Sequence, residues 1–186
     1  MKTTIKIIIF LLIIQPIYAQ KQRIKGNQLF ITNKVTHKSV KIGTSENTLK
    51  NFGSTLIKTD TLDMMIEPSS HHLRYTYNNI LFYVSTSGKI STFETRSSDI
   101  AIEVKGKFTY SPGDHISDLA TTFPDEVADA QIMHRGIERN EYLGVWVQLS
   151  GFNETYNKYV DLDCAIVFLL SPETKVIEEI FYWIRP

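Results

Sequence analysis

The chain has a single cysteine, Cys164, so no internal disulfide can form. Stability must come from packing rather than from cross-links. An excess of one charge is missing too: 20 Lys+Arg stand against 20 Asp+Glu. With no basic stripe to neutralise phosphates, nucleic acid is not expected as a partner. A bilayer-spanning helix needs roughly 20 apolar residues, and the longest apolar run, Ile7 to Ile14, is less than half that. The local signatures of catalysis are also lacking. There is no H-E-x-x-H, no G-x-S-x-G elbow, no phosphate-binding glycine loop and no Cys–His framework. His71 and His72 are adjacent and would point to opposite faces of a strand, while His37, His115 and His134 stand alone. No metal or cofactor is expected. Cys164 sits in an apolar strand pattern, as a small buried hydrophobe does, rather than beside a base that would activate it.

What is present begins with Met1–Ala19. Lys2 and Lys6 precede the apolar run, Gln15-Pro16 ends it, and Ile17-Tyr18-Ala19 supplies a small residue before Gln20. This is the pattern of a cleaved signal peptide, and it predicts a secreted or periplasmic protein that does not span the membrane. The only cysteine, Cys164, lies far from that site, so a lipid tether is not expected. The remaining 167 residues carry 18 Lys+Arg and 20 Asp+Glu, a formal charge of −2. They are enough to bury a substantial core.

The stretch Val40-Lys-Ile-Gly-Thr-Ser-Glu-Asn-Thr-Leu-Lys-Asn-Phe-Gly53 has a degenerate counterpart in Thr109–Pro124. In each, a short apolar run ends in Gly (Gly43, Gly113), a Leu follows six residues on (Leu49, Leu119), and a Phe is closed by a breaker (Phe52-Gly53, Phe123-Pro124). Gly43 can adopt the positive φ that swings a strand into a helix, and Thr44 or Ser45 can cap that helix. Strand-like runs precede each helix, at Gln28–Thr32 with Lys38–Ile42 and at Ile100–Lys105 with Phe108–Tyr110. Further runs follow the first helix, at His72–Tyr77, Ile80–Thr86 and Lys89–Arg96. Those after the second are Leu143–Leu149, Tyr159–Leu170 and Lys175–Ile184. Asn78-Asn79 and Ser87-Gly88 are hairpin turns by type. Gln131–Glu138 fits either a helical turn or a strand. The pattern predicts an α+β fold: a tandem duplication of a β-β-α-β-β-β unit, residues 20–98 and 99–186, with short helices on one face of antiparallel sheet.

The copies differ most where Ser150–Lys158 replaces the two-residue turn of the first. This predicted loop carries Phe152 and Tyr156, with Tyr159 beside it, and loops on a repeated scaffold often hold binding residues. Trp146 and Trp183 would form an aromatic patch if their sheet face is open, and would be core if two sheets close over it. Asp161 and Asp163, two apart on a strand, point the same way and are the only paired carboxylates suited to glycoside hydrolysis.

The residues Ile42-Gly43-Thr44-Ser45, Phe52-Gly53, Gly88-Lys89-Ile90 and Val104-Lys105-Gly106-Lys107-Phe108 resemble an uncharacterised family of bacterial domains, over about 38–124. More distantly the unit is similar to the beta-lactamase-inhibitor-protein-like fold and to BamE-type outer-membrane assembly lipoproteins. That resemblance implies short helices packed on antiparallel sheet and protein binding rather than catalysis. The chain departs from the lipoproteins by having no lipidated cysteine, and it adds a hairpin before each helix. The resulting expectation is a module that binds another extracytoplasmic protein through Trp146, Phe152, Tyr156, Tyr159 and Trp183. The alternatives are a small-ligand or glycan carrier and, last, a hydrolase using Asp161 and Asp163.

Overall fold

A computed structural model describes residues 24–53, 57–60, 73–136, 139–153, 155 and 158–184. The expected leader, 1–19, lies outside them. Strand β1 (Ile24–Lys25) is followed by β2 (Leu29–Asn33), β3 (Lys38–Val40) and a 3₁₀ turn, Glu46–Asn51. Then come β4 (Ile57–Asp60), β5 (Leu73–Tyr77), β6 (Ile80–Val84) and β7 (Ile90–Thr95). The second half runs β8 (Ile100–Val104), β9 (Phe108–Tyr110), α1 (Ile116–Thr122) and α2 (Pro124–Ala128). It ends with β10 (Gln131–Arg135), β11 (Asn140–Asn153), β12 (Lys158–Leu170) and β13 (Ile177–Ile184). The fold is α+β, with few short helices and almost entirely antiparallel sheet; β1 alone among the described strands pairs in parallel, on β11.

The large sheet has the order β1-β11-β12-β13-β7-β6-β5-β4, with β10 also pairing β11, and the small sheet the order β3-β2-β8-β9. Leu29, Ile31, Ile102 and Val104 of the small sheet share one buried cluster with Phe82, Phe93, Val145 and Phe168 of the large sheet. Leu49 and Phe52 join it from the 3₁₀ turn, and Leu119 and Phe123 from α1 and its end. Small sheet and helices therefore cover the same face of the large sheet. Burying each such side chain contributes about 1.5–3 kcal/mol.

The two strand-to-helix connections are built alike. Gly43 and Gly113 both take positive φ, 84° and 103°. Gly43 N donates to the Ile90 carbonyl at 2.7 Å, and Gly113 N to that of Ile177 at 2.8 Å. Ile90 N and Ile177 N donate back, to Thr44 O and Asp114 O. The Ser45 hydroxyl caps the 3₁₀ turn by accepting from Asn47 N, while His115 caps α1 in a reciprocal box with Asp118. Each helical turn is thus pinned to the start of the last strand of its half, β7 or β13, which lets so short a helix persist.

Three expectations need correction. The first half has two more strands than predicted, β1 and β4, and Gln131–Glu138, which the sequence left open between helical turn and strand, contains β10; β10 has exposed or half-buried residues throughout, so it lacks the apolar alternation that reveals a strand. The first helix is a 3₁₀ turn. And Ser150–Asn153 is not loop but the continuation of β11, registered on β12 through Ser150↔Asp161, Gly151↔Val160, Phe152↔Tyr159 and Asn153↔Lys158. The composition there, Ser-Gly-Phe-Asn, is turn-like and does not show the pairing.

Candidate functional site on the outer sheet face

The face of the large sheet opposite the core holds a straight cross-strand row. Trp146 pairs with Val167 and Val167 with Phe181. Phe181 pairs with Glu94, Glu94 with Leu81, and Leu81 with Thr76. The central pair, Phe181 and Glu94, is where the two halves of the sheet join.

On the second-half side, Trp146 and Trp183 meet edge to face with ring centroids 5.3 Å apart. Trp146 is 37 % exposed, although Val167, Leu169 and Phe181 on the same face are buried. Beneath and beside the indoles, Tyr142, Val167, Leu169 and Phe181 form a second, smaller buried cluster against which Met133 and Trp183 pack. Gly144 is required here, because a Cβ would collide with the Met133 sulfur.

On the first-half side the face is charged. Arg135 Nη2 donates to Glu94 Oε2 at 2.5 Å and to Glu179 Oε1 at 2.8 Å. Arg96 donates to Glu179 Oε2 from Nε and Nη2, at 2.8 and 2.7 Å. The Glu179 side chain is only 2 % exposed, and a buried carboxylate needs such partners. The Arg135 guanidinium lies 4.1 Å from the Phe181 ring centroid. In a flat sheet, β10 and β7 would stand about 19 Å apart, four strand spacings. A single side chain cannot span that distance, so the β10 end of the sheet curls over this face. The Tyr83 hydroxyl donates to Glu94 Oε1 at 3.3 Å; burial, and then the Glu94 charge, push its pKa to about 12. The hydrogen bond to Glu179 raises the pKa of Arg96 further and keeps it charged. These groups border a cleft of about 620 Å³ that also reaches Thr76, Asn79 and Leu81.

Of the predicted site residues, the structure brings Trp146 and Trp183 together. Phe152 and Tyr159 are cross-strand neighbours by register, but their side chains, like all of Tyr156, lie outside the described residues. Asp161 and Asp163 are both exposed, with Asp161 Oδ1 3.5 Å from the Ser150 hydroxyl. Neither lines the charged cleft. The strand is irregular between Asp161 and Ala165: Gln148 pairs with Ala165 and Ser150 with Asp161. The Gln148 amide fills that bulge by donating to the Leu162 and Cys164 carbonyls. Cys164 is buried, its thiol accepts from the Tyr182 hydroxyl, and burial raises its pKa. That suits a packing role and not a nucleophile. A second cavity, about 440 Å³, opens between Lys25, Ile42, Leu162 and Tyr182. Among the described residues no group of three or more His, Cys, Asp or Glu could hold a metal ion, and no helix is long and apolar enough to cross a membrane.

Sequence reasoning missed Glu94, Arg96, Arg135 and Glu179. One signal was available. In Ile177-Glu-Glu-Ile180 two successive acids interrupt an apolar strand, and successive strand residues point to opposite faces. One of the two had to meet a covered face and find a cation there.

No family model matches the chain, and no curated protein does. Among solved structures it is similar to an extracellular protein containing a SCP domain from Bacillus anthracis str. Ames, at 15 % identity and a TM-score of 0.41. The similarity covers 77 % of this chain and 44 % of that one. This chain thus spans less than half of that protein's length, and a likeness of this degree bears on neither fold nor function.

Proposed function

We propose that the chain is an exported module that binds another extracytoplasmic protein through the aromatic half of its outer sheet face. One observation carries the reading: Trp146, 37 % exposed on the outer sheet face, is braced edge to face by Trp183. Rigid, partly exposed aromatics over an apolar base are what protein interfaces use as anchors. The Met1–Ala19 leader supports the extracytoplasmic setting. The likeness of its glycine and core positions to inhibitor-type domains points the same way. The unit itself we read as a tandem duplication, residues 20–98 and 99–186, because each half places strand hairpin, glycine hinge and helical turn in the same order and ties them by the same hydrogen bonds.

The test is affinity capture from the envelope and medium of the producing cell with the leaderless chain, its Trp146→Ala variant and a Lys38→Ala control on the small sheet. One protein held in near-stoichiometric amount by wild type and control, and lost by Trp146→Ala, supports the proposal. Capture that is indifferent to Trp146→Ala removes this face from consideration. Quenching of tryptophan fluorescence by oligosaccharides, with no protein captured, would put a glycan carrier in its place.

A further inference from the structure

The charged cleft is separate from the aromatic patch, and its chemistry specifies a ligand. We propose that it is a binding site for a monocarboxylate, held by Arg96 and Arg135 with its carbon body against Leu81 and Thr76.

The argument rests on which hydrogen-bonding groups are already used. Every oxygen of the two carboxylates is engaged: Glu179 Oε1 and Oε2 by Arg135 and Arg96, Glu94 Oε2 and Oε1 by Arg135 and Tyr83. The guanidiniums are not exhausted, since each carries five N–H donors. Arg96 spends only Nε and Nη2, and Arg135 only Nη2, on partners among the described residues. The Arg96 side chain is 61 % exposed and that of Arg135 29 %, so unspent donors face the cleft. Glu179 and the Phe181 ring hold these guanidiniums in place, which lowers the ordering cost of binding. The cleft is therefore rich in donors and poor in free acceptors, as an anion site must be.

Charge decides which anion. Even with Arg74 opposite Tyr83 as a third nearby cation, a phosphate dianion would be repelled by Glu94 and Glu179 twice as strongly as a monoanion. A planar monoanion can still take the parallel N–H pair of an Arg edge. The volume, about 620 Å³, suits a small organic ligand, and Leu81 and Thr76 give its carbon body an apolar and hydroxyl-bearing wall. The carboxylate could belong to a free acid or to the C-terminus of a peptide, and the experiment separates these.

The intact leaderless chain, ¹⁵N-labelled, is titrated with N-acetyl-Ala-Ala, its C-terminal amide, butyrate and inorganic phosphate. The free carboxylates are expected to shift the amide signals of Asn79, Arg96 and Gly136, and the dipeptide amide is expected to leave them in place. Tighter binding of the dipeptide than of butyrate identifies a chain terminus; the reverse identifies a small acid. Arg96→Gln removes charge-assisted bonds and should weaken binding about tenfold or more. If Arg96→Gln disturbs the fold, Leu81→Trp fills the cleft without touching an ion pair and should abolish the shifts. Trp146→Ala should change nothing, which separates this site from the protein-binding face. Equal binding of dipeptide and amide, preference for phosphate, absence of shifts at about 20 mM carboxylate, where even weak fragments register, or binding that survives Leu81→Trp would each overturn the proposal.

Discussion

On the two sides of the Phe181–Glu94 pair, one strand geometry carries opposite chemistry. Counting outward along the cross-strand row, Leu81 stands where Val167 stands and Thr76 where Trp146 does. Two residues beyond the central pair, Arg96, just past the end of β7, takes the place that Trp183 has in β13. One side is thus an indole patch and the other a cleft lined by guanidinium and hydroxyl. The backbone does not distinguish them, since both halves carry the same bulge. The register shifts between Tyr83 and Val84, where Ser91 is the extra residue, as it does between Leu169 and Leu170, where Glu178 is. What differs is side-chain identity at matching positions, together with strand length: β5 and β6 have 5 residues each, β11 and β12 have 14 and 13. The longer ribbon supplies the length that curls β10 over the face and delivers Arg135 to the acids of the other half.

The comparison is tested most strongly by Phe52→Ala against Phe123→Ala. Both rings are fully buried at the ends of matching helical turns, so each truncation should cost about 3–5 kcal/mol. Because both belong to the same buried cluster, urea unfolding followed by circular dichroism should show one transition lowered in both variants. Two separated transitions would mean that the halves unfold independently. Arg135→Met comes next. It leaves buried Glu179 with Arg96 alone and frees Glu94, and since Arg135 and Glu94 are partly exposed the loss should be about 2 kcal/mol, below that for a fully buried pair. A midpoint unchanged in denaturant would show that the ion network contributes nothing to stability. The smallest effect reverses sign between the halves. Gly88 at φ 71° and Lys175 at φ 59° hold matching turn positions. Gly88→Ala should therefore destabilise and Lys175→Gly stabilise, each by roughly 0.5–1 kcal/mol, since left-handed backbone strains residues with a Cβ. Thermal melts of the pair check it, and a Lys175→Gly that lowers the melting temperature would break the equivalence of the two turns.

Much of this architecture was legible because local chemistry dictates it. Asn78-Asn79 forms its turn with both residues at positive φ, Gly43 and Gly113 supply the hinges, and the alternation in Ile80–Val84 and Ile100–Val104 marks their buried faces. Cys164 in its apolar run is the buried, unreactive thiol the pattern implies. Strand β4 escaped, and β10 stayed undecided, because edge strands need no apolar rhythm, and Ser150–Asn153 escaped because Ser-Gly-Phe-Asn reads as a turn.

The sequence by itself determined the α+β class, the glycine hinges and the core side of strands such as β6 and β8, since backbone preference and the two-residue period of a strand are local properties. Only the tertiary structure decided which face stays open, that Trp146 and Trp183 touch across three strands, and that Arg135 meets Glu94 and Glu179 from 41 and 44 positions away in the chain. Those contacts depend on strand order, register and the curl of the sheet, which arise from the packing of all the strands together and are written in no single stretch of residues.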